Sequence, residues 1–362
     1  MVGKPISPAR PPVILVLLVF LALISYVPDP GVVVRLPLET SHPIVGVHTR
    51  LTEEVEGRKI DRALAMASDM GAAWVVEYFP WAYIETDKDR YDWTHADLVV
   101  NSAYRQGLNL VARIDYVPAW DRPKDSTSRY VDRQVIKDYS DFIFAFVNRY
   151  GDRVKYYIVW NEPNVAAEWG FGKISGGAYT ELLKAAYQRA KQADPTALIV
   201  SAGLAPTLEK SDMGLDDLDY LQQMYDAGAK DYFDILGAHA YGYKSPPDDP
   251  AAPDRINFAR VELLRQIMER NGDGAKKVMI TEAGWNDHPR WTRAVRPAQR
   301  VEYTVRAYQK AEQEWPWVEF VAMWQFKLPR PANNYNDYYT FLTPDFRPKA
   351  VYEAVRKWAR GG

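Results

Sequence analysis

The sequence predicts an α/β fold, a (β/α)8 TIM barrel preceded by an N-terminal hydrophobic segment. From about residue 42 onward, short apolar runs alternate with longer stretches of helical period. Strands that read as continuous hydrophobic runs, each followed by a helix, belong to a parallel sheet covered on both faces. Eight such units close into a barrel. No run leads into a G-x-G-x-x-G or G-x-x-x-x-G-K-[ST] turn, which removes the main support for an open, nucleotide-binding sheet.

The chain begins with Lys4 and Arg10 ahead of the uncharged stretch VILVLLVFLALISYV (13–27), closed by Pro28 and Pro30. Basic residues before an apolar core are the pattern of an export segment. Its length falls short of the roughly 20 residues a spanning helix prefers, as in a cleaved signal peptide. The lack of a small-x-small site after Ala22 favours instead a retained anchor, basic end in the cytoplasm. Residues 1–30 are therefore expected to be signal peptide or membrane anchor, 31–42 a linker and 43–362 the barrel, outside the cytoplasm.

The expected strands are PIVGVH (43–48), AAWVVEYF (72–79), LNLVARIDY (108–116), VKYYIVW (154–160), ALIVSA (197–202), FDILGAH (233–239), KVMIT (277–281) and EFVAMWQF (319–326). Between the third and fourth, Val135, Ile136, Tyr139, Phe142, Ile143, Phe146, Val147 and Tyr150 form one apolar stripe at helical spacing, with Gly151 as a stop. Similar stripes occur at Leu182, Leu183, Ala186, Tyr187 and Ala190, and at Val261, Leu264, Ile267 and Met268. KSPPDDPAAPD (244–254) reads as a surface loop.

A net charge of −2 offers no broad basic field for nucleic acid. With no cysteine, disulfides, thiolate metal sites and a cysteine nucleophile are excluded. The 12 Trp and 24 Tyr stand out: most can fill a large core, and such rings also stack on sugar faces while their polar tips meet hydroxyls.

Barrel enzymes place their sites at the C-terminal ends of the strands. There stand His48; Glu77, Tyr78 and Trp81; Asp115, Tyr116 and Trp120; Asn161 and Glu162; His239 and Tyr241; Glu282; and Trp324 and Gln325. Glu162, in YYIVWNEPN, and Glu282, in ITEAGWND, end strands four and seven, on opposite sides of a barrel mouth. Pro163 is expected to stop the fourth strand. Two converging carboxyls suit glycoside hydrolysis: one donates a proton to the leaving oxygen, and the other attacks the anomeric carbon or activates water. His48 and His288 lack a two-His helical spacing, so neither metal nor cofactor is expected. Trp81, Trp120, Trp169, Trp285 and Trp291 sit on loops, where a ring can hold its loop down or face a sugar.

WNEPN and TEAGW, together with GAAWVVEYFPWAYIE followed by YDW (71–93) and GLNLVARIDYVPAW (107–120), resemble the retaining glycoside hydrolases of clan A, which include families 39 and 5. The resemblance covers roughly residues 44–355. It implies Glu162 as general acid/base, Glu282 as nucleophile, and Asn161 on the sugar's 2-hydroxyl. It further implies His239 and Tyr241 lining the site, Tyr241 holding Glu282, and Trp324 as a platform under the sugar. One departure stands out: where clan members carry a strand-two arginine in a W-V-R pattern, this chain has Val76. Glu77 and Arg113 place opposite charges on strands two and three, and Arg113 is expected to replace that arginine in part or to organise the sugar site with Glu77.

The expected function is that of a retaining O-glycosidase acting on β-glycosidic bonds of extracytoplasmic poly- or oligosaccharide. Transglycosylation by the same two acids is one alternative, and a catalytically silent, membrane-tethered carbohydrate-binding barrel is another.

Overall fold

A computed structural model of the protein describes residues 34–362. The hydrophobic segment at 13–27, and with it the expectation of export or anchoring, lies outside the described residues. Among the described residues no helix is long and apolar enough to cross a membrane.

Each expected apolar run forms one strand of a single parallel sheet. In chain order these are β1 (Val45–His48), β2 (Trp74–Pro80), β3 (Asn109–Asp115), β4 (Tyr156–Val159), β5 (Leu198–Ser201), β6 (Leu236–Tyr241), β7 (Val278–Gly284) and β8 (Val318–Trp324). The sheet order is β5-β4-β3-β2-β1-β8-β7-β6. Parallel bridges Val200–Ile235 and Leu204–Ala238 then join β5 to β6 and close the ring. The helices α1 (Gly57–Asp69), α2 (Thr94–Arg105), α3 (Arg133–Tyr150), α4 (Gly176–Ala193), α5 (Asp217–Asp226), α6 (Val261–Arg270), α7 (Pro297–Glu314) and α8 (Ala350–Ala359) alternate with the strands, giving a (β/α)8 barrel. From Arg35 the expected linker lies against the barrel: Leu36 N–H donates to Arg105 O (3.0 Å) and Ser41 N–H to Ala359 O (2.9 Å).

Two apolar layers hold the barrel together. Outside the strands, α3 shows how the helices contribute: Asp132 caps it by accepting from Val135 N–H (2.9 Å), and Val135, Tyr139, Phe142 and Phe146 are buried along one face. Gly151 follows its last turn in right-handed backbone (φ −59°). Inside the ring, Trp74, Val76, Val111, Ile158, Met279 and Phe320 form a separate core. Trp74 and Phe320 stack at 4.8 Å. A Cβ on Gly46 would come within 3.0 Å of the Phe320 ring, so glycine leaves room for that plug.

Strand alternation decides which residues reach the mouth. In the β2–β3 register Val76 faces Val111, Glu77 faces Ala112 and Tyr78 faces Arg113. Val76, Val111 and Arg113 point inward, so Glu77 points outward. In β7 the alternation is broken. Between Ile280 and Glu282 the chain advances two residues while β6 advances one, from Ala238 to His239. Between Ile280 and Ala283 it advances three while β8 advances two. Both neighbours register one extra residue, a β-bulge at Thr281–Glu282, and bulges re-aim side chains at such rims.

Candidate active site

The bulge turns Glu282 into the barrel mouth, where it is 8% exposed. Its Oε1 accepts from Arg113 Nη1 at 2.7 Å and its Oε2 from the Tyr241 hydroxyl at 2.8 Å. Burial works against its ionisation. His239, His48, Arg113 and the Tyr241 hydroxyl outweigh burial and draw its pKa down to about 2. His48 itself is pulled to about 3, by burial first and by Arg113 second. Its Nδ1 lies 2.8 Å from the Thr49 carbonyl, which can only accept, so Nδ1 carries the proton and Nε2 faces Glu282 Oε1 at 3.6 Å. At neutral pH His48 is therefore uncharged, and the fixed positive charge beside Glu282 is that of Arg113.

Glu162 is set by backbone rather than by strand. The fourth strand was expected over 154–160, with Pro163 as the stop beyond it. It ends at Val159, because Trp160 and Glu162 adopt left-handed φ values of +74° and +40°. Such backbone persists only where its surroundings enforce it, and here several contacts do. Glu162 N–H donates to Gly203 O (3.1 Å) and Trp160 Nε1 to Glu168 O (2.8 Å). The Asn164 side chain joins Ala205 and Leu215. A two-stranded hairpin, Lys210–Ser211 with Gly214–Leu215, pairs onto the same loop through Val165.

His239 Nδ1 lies 2.8 Å from Glu162 Oε1 and 3.8 Å from Glu282 Oε2. Burial disfavours its charged form, but Glu282 and Glu162 more than compensate and raise its pKa. A Cβ on Gly203 would fall 2.4 Å from His239 Nε2, so only glycine there leaves space for the ring. One donor atom each of Glu162, His239 and Glu282 lies within 4.8 Å of the others. Three such donors can in principle hold a cation. Here both Glu282 oxygens already accept from Arg113 and Tyr241, and the guanidinium at 2.7 Å already supplies the positive charge, so the donor set does not fit a metal.

Arg113, 8% exposed, is the hub. Besides Glu282 it donates to Asn161 Oδ1 (3.0 Å), which leaves the Asn161 amide N–H groups for the cleft. Its Nε lies 3.6 Å from Asp115, and its guanidinium packs on the Tyr78 ring at 5.0 Å. Asp115 in turn meets Arg129 (2.9 Å), and Arg129 meets Glu168 (3.0 Å). Burial opposes charge on Arg113, and Asp115 and Glu282 restore it.

Arg113, Asn161, Glu162, Tyr241 and Glu282 line a cleft of about 700 Å³ whose wall also includes Trp324, Tyr243, Trp291, Arg293, Tyr335 and Tyr339. Of the residues singled out in the sequence, Glu162, Glu282, Asn161, Arg113, His239, Tyr241 and Trp324 are brought together. Glu77, Trp81 and Trp120 are not. Glu77, on the outward face of β2, accepts from Leu51 N–H (2.9 Å), Thr52 N–H (3.2 Å) and the Thr52 hydroxyl (3.1 Å), so it pins the β1–α1 loop and makes no pair with Arg113. Trp81 is fully buried, edge-on to Trp120 at 5.6 Å, and both indole N–H groups bond to Glu85. Of the remaining loop tryptophans, Trp169 and Trp285 are buried and Trp291 lines the cleft. Tyr243, Arg129, Glu168 and Arg293 went unflagged in the sequence; Glu168 ends a one-turn 3-10 helix (Ala166–Glu168) and the others lie on loops, where no periodicity marks direction.

No protein-family model matches the chain. Curated relatives match locally: β-glucosidase 34 of Oryza sativa subsp. japonica is 30% identical over 76 residues, and avenacosidase 1 of Avena sativa 34% over 56. These matches span 20% and 15% of this chain and only 14% and 10% of the relatives. A family 39 glycoside hydrolase from the gut symbiont Bacteroides cellulosilyticus WH2 superposes with a TM-score of 0.69 at 21% identity, over 88% of this chain and 64% of that one. A monomeric β-xylosidase from Caulobacter crescentus CB15 gives 0.64 at 17%, over 88% and 69%. A GH5 structure from Bifidobacterium longum subsp. longum, in complex with Manb1-4GlcNAc, gives 0.65 at 13%, over 88% and 78%. The chain thus shares the (β/α)8 barrel fold of these solved glycoside hydrolases of families 39 and 5.

Proposed function

We propose that the protein is a retaining O-glycosidase acting on β-linked poly- or oligosaccharide. The observation that carries this reading is the approach of Glu162 and Glu282, one oxygen of each within 4.8 Å of the other. Retaining enzymes hold their carboxyls about 5–5.5 Å apart, and inverting ones about 6.5–9.5 Å to admit a water. The clan A neighbours support the same reaction class.

In the first step the Glu282 carboxylate attacks the anomeric carbon while the protonated Glu162 carboxyl gives its proton to the departing glycosidic oxygen, leaving a covalent glycosyl ester on Glu282. In the second, the Glu162 carboxylate takes a proton from water, and the water oxygen displaces Glu282. Arg113 and Tyr241 keep Glu282 ionised and aimed, its two oxygens fixed by one donor each. The Asn161 N–H groups are placed for the 2-hydroxyl, a contact that strengthens as charge builds on the ring. The apolar segment at 13–27 supports an extracytoplasmic location.

Incubation with a 2-fluoro glycosyl fluoride and peptide mass spectrometry tests the reading: the label belongs on Glu282. Intact glycan binding with no label on Glu282 would establish a silent carbohydrate-binding barrel instead. Transglycosylation would show as longer products when acceptor sugars are added.

A further inference from the structure

We infer that the glycan taken by this cleft is anionic: a carboxylate-bearing poly- or oligosaccharide whose acid groups meet Arg293, Lys244 and Arg296 on either side of Trp291. The inference rests on the glycosidase reading for placing a glycan in the cleft, and adds its chemical class.

The observation is an imbalance of pairing. Of the four arginines lining the cleft, Arg113 is matched by Glu282 at 2.7 Å, and Arg129 by Asp115 and Glu168 at 2.9 and 3.0 Å. Arg50 is matched by Glu53. Arg293 has no carboxylate within 4.0 Å among the described residues. Its guanidinium stands over the Tyr243 ring at 4.8 Å, a contact that orients the planar group and gives it no carboxylate partner. Beside it Trp291 stacks on Tyr335 at 5.3 Å and 16°, a flat apolar surface suited to a sugar ring.

Trp291 also forms the wall of an adjoining hollow of about 470 Å³ that includes Lys244 and Arg296. Both are exposed, and neither has a carboxylate within 4.0 Å among the described residues. Asp287 also lines this hollow and pairs with Arg300 at 3.5 Å, and Asp248 pairs with Arg306 at 2.6 Å. A chain of net charge −2 therefore gathers unneutralised cations along the path a glycan would follow out of the cleft past Trp291. A neutral glycan offers them only hydroxyl and ring oxygens as acceptors. A carboxylate gains a two-pronged, charge-assisted pair with Arg293, and repeated carboxylates along a polymer extend the attraction to Lys244 and Arg296.

The test uses the full chain carrying Glu162→Gln, so that ligand is not turned over. Affinity is measured by titration calorimetry for oligosaccharides containing glucuronate, galacturonate or mannuronate, each beside the same oligosaccharide with its carboxyls reduced to alcohols, and for a sulfated galactan oligosaccharide. At least one uronate-bearing ligand is expected to bind about tenfold more tightly than its reduced partner, about the effect of one charge-assisted pair. That preference should vanish on Arg293→Gln, shrink on Lys244→Gln/Arg296→Gln, and weaken as salt rises. Three results overturn the inference: no carboxylate-dependent binding in the panel, equal loss of acidic and reduced ligands on Arg293→Gln, or binding of the sulfated ligand alone. Carboxylate-dependent binding by a wild-type protein that forms no glycosyl ester would leave the inference standing and remove the glycosidase reading. Hydrolysis of neutral glycans with no such preference would do the reverse.

Discussion

Replacing Arg113 with alanine removes the buried donor that bridges Glu282 and Asn161 at 2.7 and 3.0 Å. A hydrogen bond to a charged group contributes about 1.5–3 kcal/mol, and about 1.36 kcal/mol corresponds to tenfold in rate. The expected loss in kcat/KM is therefore on the order of 10- to 150-fold. The pH profile gives a second readout with a definite sign. Glu282 must be ionised to attack, and its pKa lies at about 2, below the ordinary carboxylate range. Losing Arg113 raises it, by about one to two units at 1.36 kcal/mol per unit, so the acid limb of kcat/KM moves to higher pH. Asp115 keeps Arg129 at 2.9 Å, so the variant is not left with an isolated buried carboxylate, and its thermal unfolding can be checked independently. Arg113→Lys keeps a charge without the fork and should hold the acid limb while still losing rate. Val76→Arg should not rescue Arg113→Ala, because Val76 packs one level lower, level with Val111. A folded Arg113→Ala protein with unchanged kcat/KM and an unmoved acid limb would refute the reasoning.

Glu162→Gln should cost about 10²- to 10⁴-fold on substrates whose leaving group needs a proton, and far less on a dinitrophenyl glycoside, with azide restoring turnover as a glycosyl azide; steady-state rates on the two substrates check this. Tyr241→Phe removes the 2.8 Å hydroxyl from Glu282 Oε2 and should lower kcat/KM about 10- to 100-fold, with the acid limb moving to higher pH as Glu282 loses a stabilising donor. Glu77→Ala strips the acceptor from two backbone N–H groups, at about 1–3 kcal/mol for each donor left buried. It should lower the unfolding temperature while kcat/KM well below that temperature stays near wild type. Trp81→Phe should likewise act on stability, since the ring is buried behind Glu85, whereas Trp291→Ala, on the cleft wall, should raise KM with the fold intact.

The barrel was legible because its signal is repetitive: eight apolar runs, each long enough to be buried on both faces, leave few other ways to satisfy the backbone. The two glutamates were legible because each follows such a run. Alternation alone would have separated Glu77 from Arg113. On a period of two, Val76 and Tyr78 share one face of β2 and Glu77 takes the other, so the opposite charges of Glu77 and Arg113 never meet. The roles of the tryptophans at 81 and 120 stayed open in the sequence for a different reason: composition counts rings, and only packing shows that these two close on each other and on Glu85.

What the sequence could not carry is direction where the backbone leaves its regular period. Applied to β7, alternation sends Thr281 inward with Met279 and turns Glu282 out toward the helices. The bulge reverses this, and the left-handed φ values at Trp160 and Glu162 aim the opposing carboxylate. Both acids of the pair thus depend on local departures from ideal geometry, held by loops distant in sequence, at Gly203, Ala205 and Leu215 for one and by the registers of β6 and β8 for the other. The same reasoning explains how this chain manages with Val76. A cation is needed within reach of Glu282, and the inward face of β3 supplies it one level above Val76, with Asp115 and Arg129 behind it to keep it charged. The requirement is for positive charge at a point in space, and a neighbouring strand of a closed barrel can meet it from a different position in the sequence.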